Sequence, residues 1–237
     1  MLDTKEEKKY SQLRKLGQEL HIPTFEAFLE LEVTKDGKLI QRHKQRSHSW
    51  VRNAYNHMVS SLAQVNATDN TYEAGKLSIK DQGGVVKFGN YPITCPAKSS
   101  DMSSVGKGYT AGAGLNTSGI QAGASDDVET FEDYYLHTLI ANGTGAGQLT
   151  YAASEPYAIS YNAGTKVLTV TLVRYLNNNT IGLTDVDVKE VGLVIAAAVM
   201  NVDTIWLQSR DKLGATITLP STGQLKVTYT LEITYPA

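Results

Sequence analysis

The residues of this 237-residue chain that could support metal or nucleophilic chemistry are five histidines, one cysteine and a dense acidic run. His21, His43, His48, His57 and His137 include no pair at the i, i+4 spacing of a zinc-binding helix, and no cysteine pair accompanies them. Asp126, Asp127, Glu129, Glu132 and Asp133 offer the hard oxygens that calcium prefers. The run lacks the glycine-bearing spacing of an EF-hand loop, so it reads as solvated loop charge. Cys95 has no partner for an internal disulfide and no readable base beside it, so it reads as a small buried apolar residue. Gly is 20, yet no glycine-rich loop ends in Lys-Ser or Lys-Thr and no nucleophile elbow occurs. A glycosidase carboxylate pair leaves no spacing to read. The reading is of a protein that is not an enzyme, with no catalytic residue, metal ligand or cofactor.

One charged patch stands out. Arg42, Lys44, Arg46 and Arg52 cluster with His43 and His48. On a strand, Arg42, Lys44 and Arg46 share one face, which suits an anionic partner. No aromatic residues interleave with them in the sequence, which favours a solvated strand face or a protein contact over nucleic acid. The net charge of −2 agrees, since the chain as a whole is no polyanion binder.

Strands must position these residues. Leu225, Val227, Tyr229, Leu231, Ile233 and Tyr235 alternate with Lys226, Thr228, Thr230, Glu232 and Thr234, the pattern of a strand with one dry and one wet face. Further strands are expected at Tyr134 to Ala141, Tyr157 to Tyr161, Lys166 to Tyr175, Val186 to Ala196, Thr204 to Arg210 and Thr216 to Leu219. Their spacing predicts a mainly β protein, an antiparallel β-sandwich of Greek-key type. Tyr is 13 against Phe 4 and Trp 2, a bias that suits sheet surfaces and interfaces.

Three units are read along the chain. Residues 1–22 form an N-terminal helical arm, in which Thr4 and Glu7 fit a capping box and Tyr10, Leu13, Leu16 and Leu20 make a narrow apolar stripe. That stripe is the expected subunit interface, with the arm outside the β body. Residues 23–66 form a β-hairpin plus helix: Phe25 to Thr34, a turn at Asp36-Gly37, a return strand Lys38 to Arg46, then a helix capped by Ser47 or Ser49. Val51, Tyr55, Met58, Val59 and Leu62 give that helix an apolar face. Residues 67–237 form a β-rich domain containing a Gly/Ser/Thr-rich tract at about 102–125, read as a surface loop or short strands that pack on a neighbour or bind a partner. Met1 to Lys9 is polar, with no apolar stretch behind it, and the longest apolar run, Val191 to Val202, is too short to span a bilayer. A chain made in a cytoplasm, with no membrane partner, is expected.

Two segments resemble tailed-bacteriophage virion proteins. Gly37-Lys38-Leu39-Ile40, followed by Lys44-Gln45-Arg46-Ser47-His48-Ser49-Trp50-Val51-Arg52-Asn53, is similar to the hairpin opening of some phage structural proteins. The second is an ordered series: Thr130-Phe131-Glu132-Asp133-Tyr134, Gly147-Gln148-Leu149-Thr150-Tyr151, Lys189-Glu190-Val191-Gly192-Leu193, Ser209-Arg210-Asp211 and Gly223-Gln224-Leu225-Lys226-Val227-Thr228-Tyr229. It resembles a β domain associated with phage tails and baseplates. The resemblance covers roughly half the chain. It implies a structural virion component of tail, neck or fibre type, located in the virion, assembling with other virion proteins and as a symmetric homo-oligomer. It carries over no catalytic residue. A capsid decoration protein and a carbohydrate-binding module that recognises a host surface glycan are the alternatives.

Overall fold

A computed structural model describes residues 4–89, 108–182, 184–199 and 202–236; Cys95 and positions 102–107 of the glycine-rich tract lie outside them. Helix α1 (Thr4–Glu19) leads into strand β1 (Thr24–Lys35), which turns through Asp36-Gly37 into β2 (Lys38–Arg46). Both turn residues have positive φ, the geometry that an Asp-Gly hairpin supplies. Helix α2 (Arg52–Ala63) and a small hairpin, β3 (Ile79–Lys80) with β4 (Val86–Lys87), come next. The remaining strands are β5 (Gly119–Gly123), β6 (Thr150–Tyr151), β7 (Ala158–Asn162), β8 (Val167–Asn177), β9 (Val186–Val199), β10 (Val202–Leu219) and β11 (Gln224–Thr234).

The protein is mainly β and forms an antiparallel sandwich. One sheet has six strands in the order β2-β1-β11-β8, with β6 and β7 both pairing β8. The other has three, β10-β9-β5. The chain leaves the large sheet after β8, makes the β9–β10 pair opposite it, and returns as β11 between β8 and β1. Alternation decides the faces. Leu225, Val227 and Tyr229 are fully buried and lie beside Leu29, Leu31 and Val33 of β1 and Leu172 and Leu176 of β8. Val188, Val191, Leu193, Ile217 and Leu219 close that core from the small sheet.

Residues 23–66 therefore do not form a unit of their own. β1 pairs β11 from Thr24↔Thr234 to Thr34↔Gln224, and its leucines enter the same core as the C-terminal strands. The two strands expected at 204–210 and 216–219 are one long strand, β10, whose irregularity between Lys212 and Ile217 makes the break seen in the pattern. Gln41 and Gln45 of β2 bond that irregular stretch, donating to the Thr216 carbonyl (3.1 Å) and the Lys212 carbonyl (2.9 Å). Tyr134 to Ala141 forms no strand. It follows β5 for a single bridge, Gly123↔Leu139, and is held further by the Leu149 N–H, which donates to the Ala141 carbonyl at 3.1 Å, and by the Tyr151 hydroxyl, which donates to the Ile140 carbonyl at 2.9 Å.

The described part of the glycine-rich tract is not a surface loop. All five residues of β5 are buried, as is Ala111. The cause is Arg174, which occupies an inward position between Leu172 and Leu176 and is fully buried. Its Nε donates to the Ala152 carbonyl, Nη1 to Ser118 and Ile120, and Nη2 to Gly112 and Leu115. Five N–H groups meet five carbonyls, so the guanidinium is fully satisfied. Its face lies 4.9 Å from the centre of the Tyr151 ring. Burial lowers its pKa to about 10, which leaves it charged at neutral pH.

Arg174→Met should strand those carbonyls in the core and destabilise the fold by roughly 3–5 kcal/mol. Chemical denaturation would measure this. A loss below about 1 kcal/mol would mean that the tract holds itself in place without the guanidinium.

Candidate interaction surface

Both helices dock largely with polar side chains and turn most of their apolar rows outward; of the expected interface stripe, Tyr10 alone faces the body. In α1, Arg14 donates to Glu26 at 2.8 and 2.9 Å and to Glu7 at 2.7 Å. Arg46 of β2 bonds the same two carboxylates and stacks on Tyr10, 3.7 Å from the ring centre. Hydrogen bonds from Arg14 and Arg46 hold the Glu7 carboxyl below its usual range. Glu7 is therefore part of this cluster. The helix end folds back tightly: the Ile22 N–H donates to the Gly17 carbonyl at 2.8 Å. A Cβ on Gly17 would lie 2.6 Å from Thr24 Cγ2, so only glycine fits that approach. The arm is thus seated on the β body by charge, while Leu13, Leu16 and Leu20 remain 46%, 51% and 57% exposed.

Helix α2 repeats the arrangement. Asn53 donates to the Lys80 carbonyl (2.8 Å) and accepts from the Lys80 N–H (2.9 Å). Asn56 donates to the Ser78 carbonyl at 2.7 Å. Neither Ser47 nor Ser49 caps the helix; Val51 takes that position with no side-chain cap. Of the expected apolar face only Val51 is buried, whereas Tyr55, Met58, Val59 and Leu62 are exposed.

The four cations of the sequence-read patch are engaged within the chain. Arg42 donates to Glu30 (2.7 Å from Nε), and Lys44 Nζ lies 3.8 Å from the same carboxylate. Arg46 is 2% exposed and paired as above. Arg52 has a different set of neighbours: a bidentate pair with Glu132, and the rings of Phe131 at 4.8 Å and Tyr72 at 5.9 Å. Both rings come from parts of the chain remote from Arg52 in sequence.

The acidic run is solvated loop charge only in part: Asp126, Asp127 and Glu132 are exposed, while Asp133 is buried and acts as a clamp. Asp133 accepts from Arg210 Nη1 at 2.9 Å and from the Thr130 hydroxyl at 2.7 Å. Burial pushes the Asp133 carboxyl up, but the bonds from Thr130 and Arg210 prevail and hold it low. Glu132 takes Arg52, Glu129 accepts from the Lys212 N–H, and Asp127 meets His137 at 3.0 Å. Arg210 is also bonded to Glu190 at 2.6 Å, and both are fully buried. A Cβ on Gly123 would lie 2.6 Å from Glu190 Cγ, so glycine there admits the buried carboxylate. His57 packs edge-on to Trp206 (5.6 Å), and burial lowers its pKa. Among the described residues, no group of three or more His, Cys, Asp or Glu is placed to hold a metal ion. No described helix is long and apolar enough to cross a membrane.

Pattern reading also missed a buried carboxyl. Asp211 is fully buried under the link between β2 and α2. It accepts from Ser47 (2.8 Å), from Ser209 (3.0 Å) and from the Tyr229 hydroxyl. Alternation gave no sign of it: the strand expected from the sequence ends at Arg210, and only the fold shows that β10 runs on through Asp211 with both sides covered. Burial raises its pKa to about 7, against the bonds from Ser47 and Ser209 that lower it. Comparison with family models, with curated proteins and with solved structures finds no match to this chain.

The folded Asp211 holds its proton to about pH 7, while an unfolded aspartate releases it near 4. Its contribution to stability is complete below about pH 4 and is lost as pH rises through 7. Asp211→Asn removes that titration. The difference in stability between variant and parent should move in favour of the variant by a few kcal/mol, on the order of 1.4 kcal/mol per pH unit, between pH 5 and pH 7. Parallel stability–pH curves would show that Asp211 is ionised in the fold.

Proposed function

We propose that this chain is a structural subunit of a tailed-bacteriophage virion, of tail, neck or fibre type, that assembles through protein–protein contacts. One observation carries the reading: α1 and α2 spend their polar rows on the body and present leucine, methionine, valine and tyrosine side chains outward. A helix on a finished monomer does the reverse, because burying the apolar stripe is what stabilises it. Exposed apolar rows on two rigidly seated helices suit an assembling surface. The sequence resemblance to phage tail and baseplate proteins supplies the setting. Covering the half of Leu13, Leu16 and Leu20 that is still exposed would contribute roughly 0.7–1.5 kcal/mol each before ordering costs, a share of what association requires.

A second reading has its own support. Tyr55 and Phe131 pair at 5.5 Å with both rings nearly half exposed, a platform on which a sugar of a host glycan could stack. Binding in a glycan array that disappears in Phe131→Ala would favour it over scaffolding alone. The capsid decoration alternative differs only in where copies sit on the particle, which electron microscopy decides.

Mass spectrometry of purified particles is the primary test, and absence of the chain from them would remove the virion reading. Leu13→Asp with Leu16→Asp should abolish oligomerisation or particle incorporation while the circular dichroism and melting of the β body stay unchanged. Unfolding of the double variant would instead assign these leucines to the protein's own stability.

A further inference from the structure

The two sheets of the sandwich are unequal, and the larger one is covered for only part of its length. Its inner rows are sealed at one end: Leu29, Leu31, Leu176, Val227 and Tyr229 are fully buried. The same rows continue to the other end as Phe25 on β1, Leu231 and Ile233 on β11, Leu168 and Val170 on β8, and Ile159 and Tyr161 on β7. The register puts Ile159 beside Val170, Tyr161 beside Leu168, Leu168 beside Ile233 and Ile233 beside Phe25, one continuous face. Val170 and Leu231 still pack against the core, and Trp50 meets the Phe25 ring edge-on at 5.2 Å, but beyond them Phe25 remains 46% exposed, Ile159 61% and Tyr161 52%. Every residue of β7 is exposed, and Tyr161 stacks on Tyr235 at 5.7 Å beside it. Three strands cannot cover six, so the core-facing side of the large sheet runs out past the small one.

We propose that this bare end of the inner face is a contact for a second copy of the chain, pairing the same face across a two-fold axis. Naming a like copy as partner deepens the assembly reading and rests on it. The chemistry of the face selects the occupant. None of its inward residues carries a carboxylate, ammonium or guanidinium, so neither nucleic acid nor an acidic peptide finds a partner charge. The opposite face of the same strands carries Glu26, Glu30, Glu32, Lys226 and Glu232, so only the apolar side can receive an apolar layer. A flat apolar sheet is covered best by another sheet about 10 Å away, and two copies of this face supply that to each other. At ~150–250 Å² for a large side chain, the half-exposed and partly exposed residues together offer on the order of 600 Å² per copy. That is the low end of specific interfaces, and it implies a dimer that forms in the micromolar range.

Sedimentation velocity on the full chain across the micromolar range tests this. The parent should show a concentration-dependent monomer–dimer equilibrium. Ile159→Glu and Tyr161→Glu, both at exposed positions of β7, should each weaken it by roughly tenfold or more with an unchanged melting temperature. A parent that stays monomeric throughout the range overturns the proposal, and so does association unaffected by either variant. If Leu13→Asp with Leu16→Asp abolishes association while Ile159→Glu leaves it intact, assembly stands and this face is not the contact. Monomers that bind an environment-sensitive apolar dye on this face without self-association would assign it to a different, apolar ligand and overturn the second copy.

Discussion

Much of this fold depends on one buried guanidinium. Arg174 sits where the inward row of β8 would otherwise carry an aliphatic residue, and it converts a glycine-rich segment with little apolar content into part of the core. Such a segment buries too little hydrocarbon to fix itself, and its backbone carbonyls would be unpaired once covered. Five N–H donors in one rigid plane answer both problems at once. With the tract in place, β5 can pair β9 over Gly119 to Gly123 and complete the small sheet. Lysine, with three donors on a flexible stem, could not reach carbonyls spread from Gly112 to Ala152.

The same device recurs in the other buried charges. Arg210 ties Glu190 and Asp133 together beneath the loop at 126–133, and Glu190 in turn accepts from the Thr138 N–H at 3.0 Å. Arg46 and Arg14 knit Glu26 to Glu7 across the outer face of the large sheet. Long irregular connections and a helix are thus held on the sandwich by directional polar contacts more than by apolar burial. Broken one partner at a time, such clusters leave an uncompensated charge, which makes them stiff and intolerant. This frees apolar side chains on α1, α2 and the overhanging sheet from the work of folding.

That division leaves apolar side chains on the surface. In a monomer of this size the apolar rows of both helices would ordinarily close the core. Here Asn53, Asn56, Glu7 and Arg14 do the seating, and leucines, Met58 and Val59 face solvent. The large sheet adds an uncovered apolar end with no charge in its inner rows. Neutralisation of Arg42, Lys44, Arg46 and Arg52 by the chain's own carboxylates removes a competing electrostatic surface. The exposed hydrocarbon of these surfaces associates without needing a matched charge pattern.

Period-two alternation determined the β class, the faces of β1, β8 and β11, and the β1–β2 hairpin, because those features follow from local geometry alone. The Asp36-Gly37 turn and the α1 helix were equally local, one set by left-handed φ tolerance and the other by helical spacing. Only tertiary structure decided that β1 sits beside β11, making residues 23–66 part of one core, since strand pairing across some 190 positions leaves no mark in either segment. It also decided the direction of the helices. Spacing marks which residues share a side of α2 but not whether that side meets the body, and Asn53 reaching the Lys80 backbone settles it by hydrogen bonds that hydropathy does not register. Arg174 shows the limit most clearly. Leu168, Val170, Leu172 and Leu176 place it on the inward row by period alone, but which carbonyls would receive it depended on how Gly112 to Ile120 folds around it, a contact that exists only once both segments are in place.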